Sequence, residues 1–210
     1  FDSRVIIGLG WILYPISDDE IDDIWQLDLP NNTAPGELPS WELVATLPSM
    51  EKRDSIPFVR WHDQLLIFGG IYFEKLYNNF YSYDILLRTS RKVHEDYFSP
   101  PPITSSMAVQ IGSKMLLWGG LSVQGKLLSS QLAFILDLDT LVWTEVNTVT
   151  DPPSARHSHT AVTVGDRVFI YGGKSASDIY YHDLWVMNYN PITNVIGWKE
   201  TDVVGGPSPS

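Results

Sequence analysis

The chain has 210 residues, 44% of them hydrophobic and 12% aromatic, which is ample material for one sizeable core. Basic side chains number 14 and acidic ones 25, and the formal net charge of -11 repels nucleic-acid backbones and anionic lipid surfaces while suiting a protein partner with a basic surface. Cysteine is absent, which excludes disulfides, thiolate metal sites and cysteine nucleophiles within these residues and fits a cytoplasmic setting.

A first predicted strand is VIIGLG, in which Gly8 and Gly10 bracket Leu9. An acidic run follows from Ser17 to Asp23, and its Asp18, Asp19 and Glu20 suit a basic peptide; the run lacks the glycine and the ligand spacing of a calcium loop. The next strand, Ile24 to Asp28, is separated by the insertion PNNTAPGELPS from a strand that carries Trp41.

From here the pattern sharpens into hairpins. PFVRW and QLLIFGG are joined by His62-Asp63, MAVQI and KMLLWGG by Gly112-Ser113, and AVTV and RVFIYGG by Gly165-Asp166. Gly-Ser and Gly-Asp between β-rich segments predict tight turns, because glycine takes a positive φ without steric cost. The diglycines begin at Gly69, Gly119 and Gly172, so the period is 50 and then 53 residues.

Each diglycine leads into a variable loop and a third strand that ends on a short polar residue: Phe80 to Asp84, Ala133 to Asp137, and Leu184 to Asn188. The second position of that strand is aromatic in all four units, as Trp25, Tyr81, Phe134 and Trp185. A fourth strand carries Trp41, Trp143 and Trp198, and spacing places Val93 at the matching point of the second unit. Four-stranded units with one apolar face stack radially, so the aromatics are expected to fill wedges between neighbouring blades.

These residues resemble kelch repeats: a diglycine that closes the second strand, an aromatic in the third and a late tryptophan. The fourth unit is the nearest to that pattern, with Arg156 and His159 opening its first strand ahead of Gly172, Gly173, Trp185 and Trp198. Arg53 stands level with Arg156, whereas the third unit has Ile103 there. The resemblance implies an all-β, kelch-type β-propeller of four units over residues 1–210, approximately 1–52, 53–102, 103–154 and 155–210. The first unit begins at its second strand, which gives three full blades and one lacking its innermost strand. Kelch propellers usually close with about five to seven blades, within the wider range of propellers. The four units are therefore expected to be part of a larger ring, closed by other blades or chains.

Candidate binding residues fall on the loops that follow the diglycines. Tyr72, Phe73 and Tyr77 in the second unit suit a protein interface, as do Leu127 and Leu128 in the third. Tyr180, Tyr181 and His182 in the fourth suit either a binding loop or, together with Asp178 and Asp183, acid-base chemistry. His157 and His159, two apart on a predicted strand, would share a face as a metal pair requires, but no third ligand is near in sequence. The alternative for Arg53, Arg156 and His159 is the family's strand-opening role, bonding neighbouring backbone.

Neither a catalytic residue, a metal site nor a cofactor is therefore expected, and no membrane or nucleic-acid partner. The resemblance points to a protein-interaction scaffold or adaptor. It leaves two alternatives: a propeller enzyme acting on a carbohydrate, with Arg53, Arg156 and His159 at the channel mouth, or the substrate-recognition part of a ubiquitin ligase.

Overall fold

The structure is a computed structural model and describes residues 4–8, 23–28, 39–46, 53–93 and 98–202. Asp18, Asp19 and Glu20 lie outside the described residues. The first sheet is three-stranded and antiparallel, with β1 (Arg4–Gly8), β2 (Asp23–Asp28) and β3 (Ser40–Thr46) in that order. The second blade begins with β4 (Phe58–Trp61) and β5 (Gln64–Phe68), carries a small hairpin of β6 (Ile71–Tyr72) and β7 (Lys75–Leu76) in its loop, and ends with β8 (Phe80–Asp84) and β9 (Thr89–Val93). The third comprises β10 (Met107–Ile111), β11 (Lys114–Trp118), β12 (Leu132–Asp137) and β13 (Trp143–Asn147). The fourth comprises β14 (Thr160–Val164), β15 (Arg167–Tyr171), β16 (Leu184–Asn190) and β17 (Val195–Thr201). The last three sheets are four-stranded meanders, so the blades are those expected from the repeat.

Alternation along each strand produces two faces, and both are used. Leu66, Phe68 and Phe80 of blade 2 pack against Met115, Leu117, Phe134, Leu136 and Trp143 of blade 3. The opposite face of blade 3, with Leu116, Trp118, Ala133 and Ile135, packs against Val168, Ile170, Met187 and Trp198 of blade 4. Each fully buried aliphatic or aromatic residue here contributes about 1.5–3 kcal/mol, so the wedge between blades is where the fold is held together. The first strands β4, β10 and β14 neighbour one another, which places them toward the propeller axis.

The late tryptophans are inter-blade plugs. Trp143 meets Phe68 and Phe80 with ring centroids 5.1 and 6.0 Å away, and Trp198 meets Trp118 at 4.8 Å. The register corrects one expectation. Trp41, Trp143 and Trp198 pair across the sheet with Leu27, Leu136 and Met187, whereas the equivalent pair in blade 2 is Tyr83 with Ser90, so Val93 is not the counterpart. Bulk has moved to the neighbouring strand: a tyrosine that is 1% exposed fills with serine the place that an aliphatic residue and tryptophan fill elsewhere.

The diglycines have a specific cause. Both residues take positive φ, 68° and 96° at Gly69 and Gly70, and 70° and 97° at Gly119 and Gly120. The next blade's backbone then approaches directly: Gly70 N–H donates to the Ile103 carbonyl and Gly120 N–H to the Arg156 carbonyl, each at 2.9 Å. A Cβ on Gly119 would lie 2.6 Å from His159 Cε1 and 2.8 Å from the Arg156 carbonyl. Gly119→Ala is therefore expected to lower the unfolding free energy by about 2–3 kcal/mol from the left-handed backbone and the clash together, read as a shift in the urea midpoint. Gly112→Ala, where an added Cβ meets nothing within 4 Å, is expected to show the conformational part alone.

Candidate functional site

The hairpin turns and the loops after the diglycines leave the blades on opposite sides of the disc. On the diglycine side, the lead-in to each first strand pairs with the start of the loop: Asp54 with Ile71, Thr104 with Leu121, and His157 with Lys174. Three serines at the same point of successive blades, Ser55, Ser105 and Ser158, all take φ near 52–54°. Their backbones link blade to blade, Ser105 N–H donating to the Ser55 carbonyl at 3.3 Å and Ser158 N–H to the Ser105 carbonyl at 2.9 Å. This band fixes the three loops relative to one another.

Each loop presents an apolar tip. Phe73, at the turn of the β6–β7 hairpin, has φ 52° and is 80% exposed, its ring edge-on to Tyr72 with centroids 4.5 Å apart. Val123 sits in a 3-10 turn over Val123–Gly125 and is 56% exposed. Ile179 and Tyr180 are 61% and 66% exposed, in a loop closed by the Lys174–Asp178 ion pair at 2.7 Å. Large apolar groups on short, hydrogen-bonded turns supply contact area without much ordering cost. Tyr72 and Tyr181 are half-buried and His182 is exposed, all on this side. Leu127 and Leu128 are half-buried, with Leu128 packed against the core between blades 2 and 3.

Tyr77 is a correction: it is 5% exposed and lies under the Arg53 guanidinium, 4.0 Å from the ring centroid, so it is packing rather than interface. Arg53 Nη1 donates to the Gly69 carbonyl at 3.0 Å. Arg156 repeats the arrangement over Tyr181 at 4.1 Å, with Nη1 donating to the Gly172 carbonyl at 2.9 Å. It adds a bidentate pair with Asp183 at 2.5 and 2.8 Å and is 0% exposed. Burial would raise the Asp183 pKa, but the hydrogen bonds from Arg156 and from Trp185 Nε1 outweigh it and hold the carboxyl below its usual range. Both arginines brace a diglycine against its loop. Ile103, 0% exposed, fills the position in blade 3 with hydrocarbon instead.

The two histidines do not form a pair on one strand face. Ser158 between them is left-handed and β14 begins only at Thr160, so strand alternation does not apply. His157 Nδ1 is 2.9 Å from Ser158 Oγ, while the His159 ring stands edge-on to Trp118 at 5.1 Å. Neither nitrogen of His159 has a partner of hydrogen-bonding geometry. Burial first, then the charges of Arg156 and His157, push its pKa down to about 3 against a weaker opposing influence of the Trp118 backbone. His159 is a neutral wedge residue. Among the described residues no group of three or more His, Asp or Glu side chains is arranged to hold a metal ion. Asp178 and Asp183 are each engaged by a cation, so neither stands as a free carboxylate beside His182.

Stacked four-stranded meanders, diglycine hinges and loops gathered on one side define a β-propeller whose variable surface is the loop face. The chain belongs to the kelch-repeat family: the family model described as the KLHDC2/KLHL20/DRC7 Kelch-repeats domain matches residues 17–210. The chain is 31% identical over 166 residues to the human Rab9 effector protein with kelch motifs, covering 76% of this chain and 39% of the relative. It is 29% identical over 138 residues to the Acyl-CoA-binding domain-containing protein 5 of Arabidopsis thaliana, covering 63% of this chain and 21% of that protein. The chain thus spans less than half the length of these relatives. Among solved structures, that of YjhT superposes with a TM-score of 0.74 at 15% identity, covering 99% of this chain and 64% of the other, and this likeness concerns the fold. No helix among the described residues is long and apolar enough to cross a membrane.

Proposed function

We propose that the chain is a non-catalytic protein-interaction module, a scaffold or adaptor that engages a protein partner through the loop face. The observation that carries this reading is the set of exposed apolar tips, Phe73, Val123, Ile179 and Tyr180, on three loops braced by one hydrogen-bonded band. A relative named as a Rab9 effector supports a protein as the partner. The arginines that a carbohydrate enzyme would need at the channel mouth are both committed to diglycine carbonyls. The four units, bounded near residues 52, 102 and 154, form part of a larger ring. In support, Trp41 is 53% exposed where Trp143 and Trp198 are buried, and Val162 and Val164 of blade 4 are 57% and 55% exposed.

Phe73→Ser together with Tyr180→Ser is expected to leave the urea midpoint unchanged, because both side chains are exposed. The same pair is expected to weaken partner capture by about a hundredfold, as loss of two interface anchors does. Quantitative affinity purification against the parent chain measures this. Undiminished capture by the double variant sinks the reading.

A further inference from the structure

A cleft of about 470 Å³ opens between blades 2 and 3 on the hairpin-turn side, opposite the loop face. Its walls include Trp61, Gln64, Asp84 and Arg91 of blade 2 and Leu138 of blade 3. The junction between blades 3 and 4 shows what closes the same position elsewhere. Gln64 pairs across the sheet with Asp84 as Lys114 pairs with Asp137, so Lys114 is the counterpart of Gln64. There the Lys114 ammonium forms an ion pair with Asp137, whose pKa is held at about 2: burial opposes, but the hydrogen bonds from Lys114 and Thr140 prevail. Tyr189, which follows the third-strand end Asn188 as Leu138 follows Asp137, fills the remaining space and feels both Lys114 and Asp137.

The junction between blades 2 and 3 keeps the turn hydrogen bonds but has neither the cation nor the tyrosine. Gln64 accepts from Ser82 Oγ at 3.0 Å instead of reaching a carboxylate. Asp84 spends Oδ1 on the backbone N–H groups of Leu86 and Leu87, at 3.0 and 2.8 Å, and no lysine among the described residues lines the cleft beside it. Arg91 makes no ion pair with Asp84, and the carboxylates of Asp63, Asp84 and Asp139 outnumber its single positive charge on the cleft wall. Trp61 and His62, their rings tilted against each other with centroids 4.3 Å apart, add aromatic surface to the wall that a hydrocarbon stem or a cation would meet. We propose that this cleft binds a lysine side chain of a basic protein segment, its ammonium against Asp84 in the place that Lys114 takes against Asp137. The site lies away from the loop face, so its failure would leave the reading of that face standing.

The test uses the full chain and a blocked pentapeptide, Ala-Ala-Lys-Ala-Ala, followed by NMR. Saturable shifts are expected at Trp61 and Gln64, and they are expected to vanish when the peptide lysine is acetylated. Asp84→Asn keeps Oδ1 for the turn and removes only the charge, and should weaken binding about tenfold or more. Gln64→Lys installs the internal cation and should close the site while preserving the fold. Absence of saturable shifts in the parent chain, or equal shifts with acetyl-lysine or in both variants, overturns the proposal. Saturation of the cleft by free spermidine with no response to the peptide overturns it as well.

Discussion

Replacing Arg156 with methionine is expected to lower the unfolding free energy by about 3–4 kcal/mol, because a fully buried guanidinium is removed from a partly buried carboxylate. Arg156 is 0% exposed while its partner Asp183 keeps 22% of its side-chain exposure, so some water can reach the abandoned carboxylate and the loss falls short of the upper range for buried pairs. The Gly172 and Ser154 carbonyls lose their donor at the same time. Arg156→Lys is expected to recover little, since one ammonium cannot span both carboxylate oxygens and a backbone carbonyl. The double variant Arg156→Met with Asp183→Asn should be more stable than the single one, because the stranded charge is gone. A urea series on the parent chain, the single variants Arg156→Met and Asp183→Asn and the double variant gives the coupling directly. A structural brace predicts loss of stability; a catalytic arginine at a channel mouth would instead lose turnover with the fold intact.

Acidification is expected to weaken the fold well before any carboxylate titrates. The pKa of His159 is pushed from 6.5 down to about 3 by burial and by the charges of Arg156 and His157, and that of His157 is lowered as well, by burial and by Lys174. A base whose folded pKa is depressed is kept neutral by the fold. Above pH 6.5 both folded and unfolded chains carry neutral rings and the full stability is present. Between pH 6.5 and 3 the unfolded chain takes up a proton that the folded chain refuses, so stability falls as the pH falls. His159 alone accounts for a loss of about 2–3 kcal/mol by pH 4.5 and about 4–5 kcal/mol by pH 3. Asp137 and Asp183, both lowered, add their loss only below about pH 4. His159→Phe keeps a ring against Trp118 and removes two nitrogens that have no partner. It should leave stability at pH 7 unchanged or higher and flatten the slope between pH 6.5 and 4.5.

Much of this architecture was legible because it rests on local chemistry repeated at a fixed period. The diglycines and the two-residue turns follow from backbone conformations that few residues tolerate, and the aromatic of the third strand from packing between sheets, so all three recur visibly. Pairing across strands was harder to see. Counting from the glycines put Val93 in the tryptophan position, whereas the sheet register puts Ser90 there and moves the bulk to Tyr83. Sequence spacing does not report which of two neighbouring side chains fills a shared volume.

The loop residues were chosen for side chains that favour exposure, and the fold exposes them unequally. Phe73 and Tyr180 do stand in solvent, but Tyr77 is drawn under Arg53, because a buried guanidinium needs a ring face as well as a carbonyl. Val123 and Ile179 were missed as apolar tips, being aliphatic residues without a distinctive pattern. The inter-blade cleft was missed too, although a signal existed. Aligning the units sets Gln64 beside Lys114, and the absence of a cation opposite Asp84 follows from that substitution.

The most direct test of a loop-face interaction module is site-specific photocrosslinking in cells. A benzophenone amino acid would be placed for Phe73 and, separately, for Leu86, which is 72% exposed on the turn between β8 and β9. The interaction account predicts a covalent adduct with a discrete protein from position 73 and none with that protein from position 86. An adduct from position 86 alone, or none from position 73 while the partner still co-purifies, would contradict it.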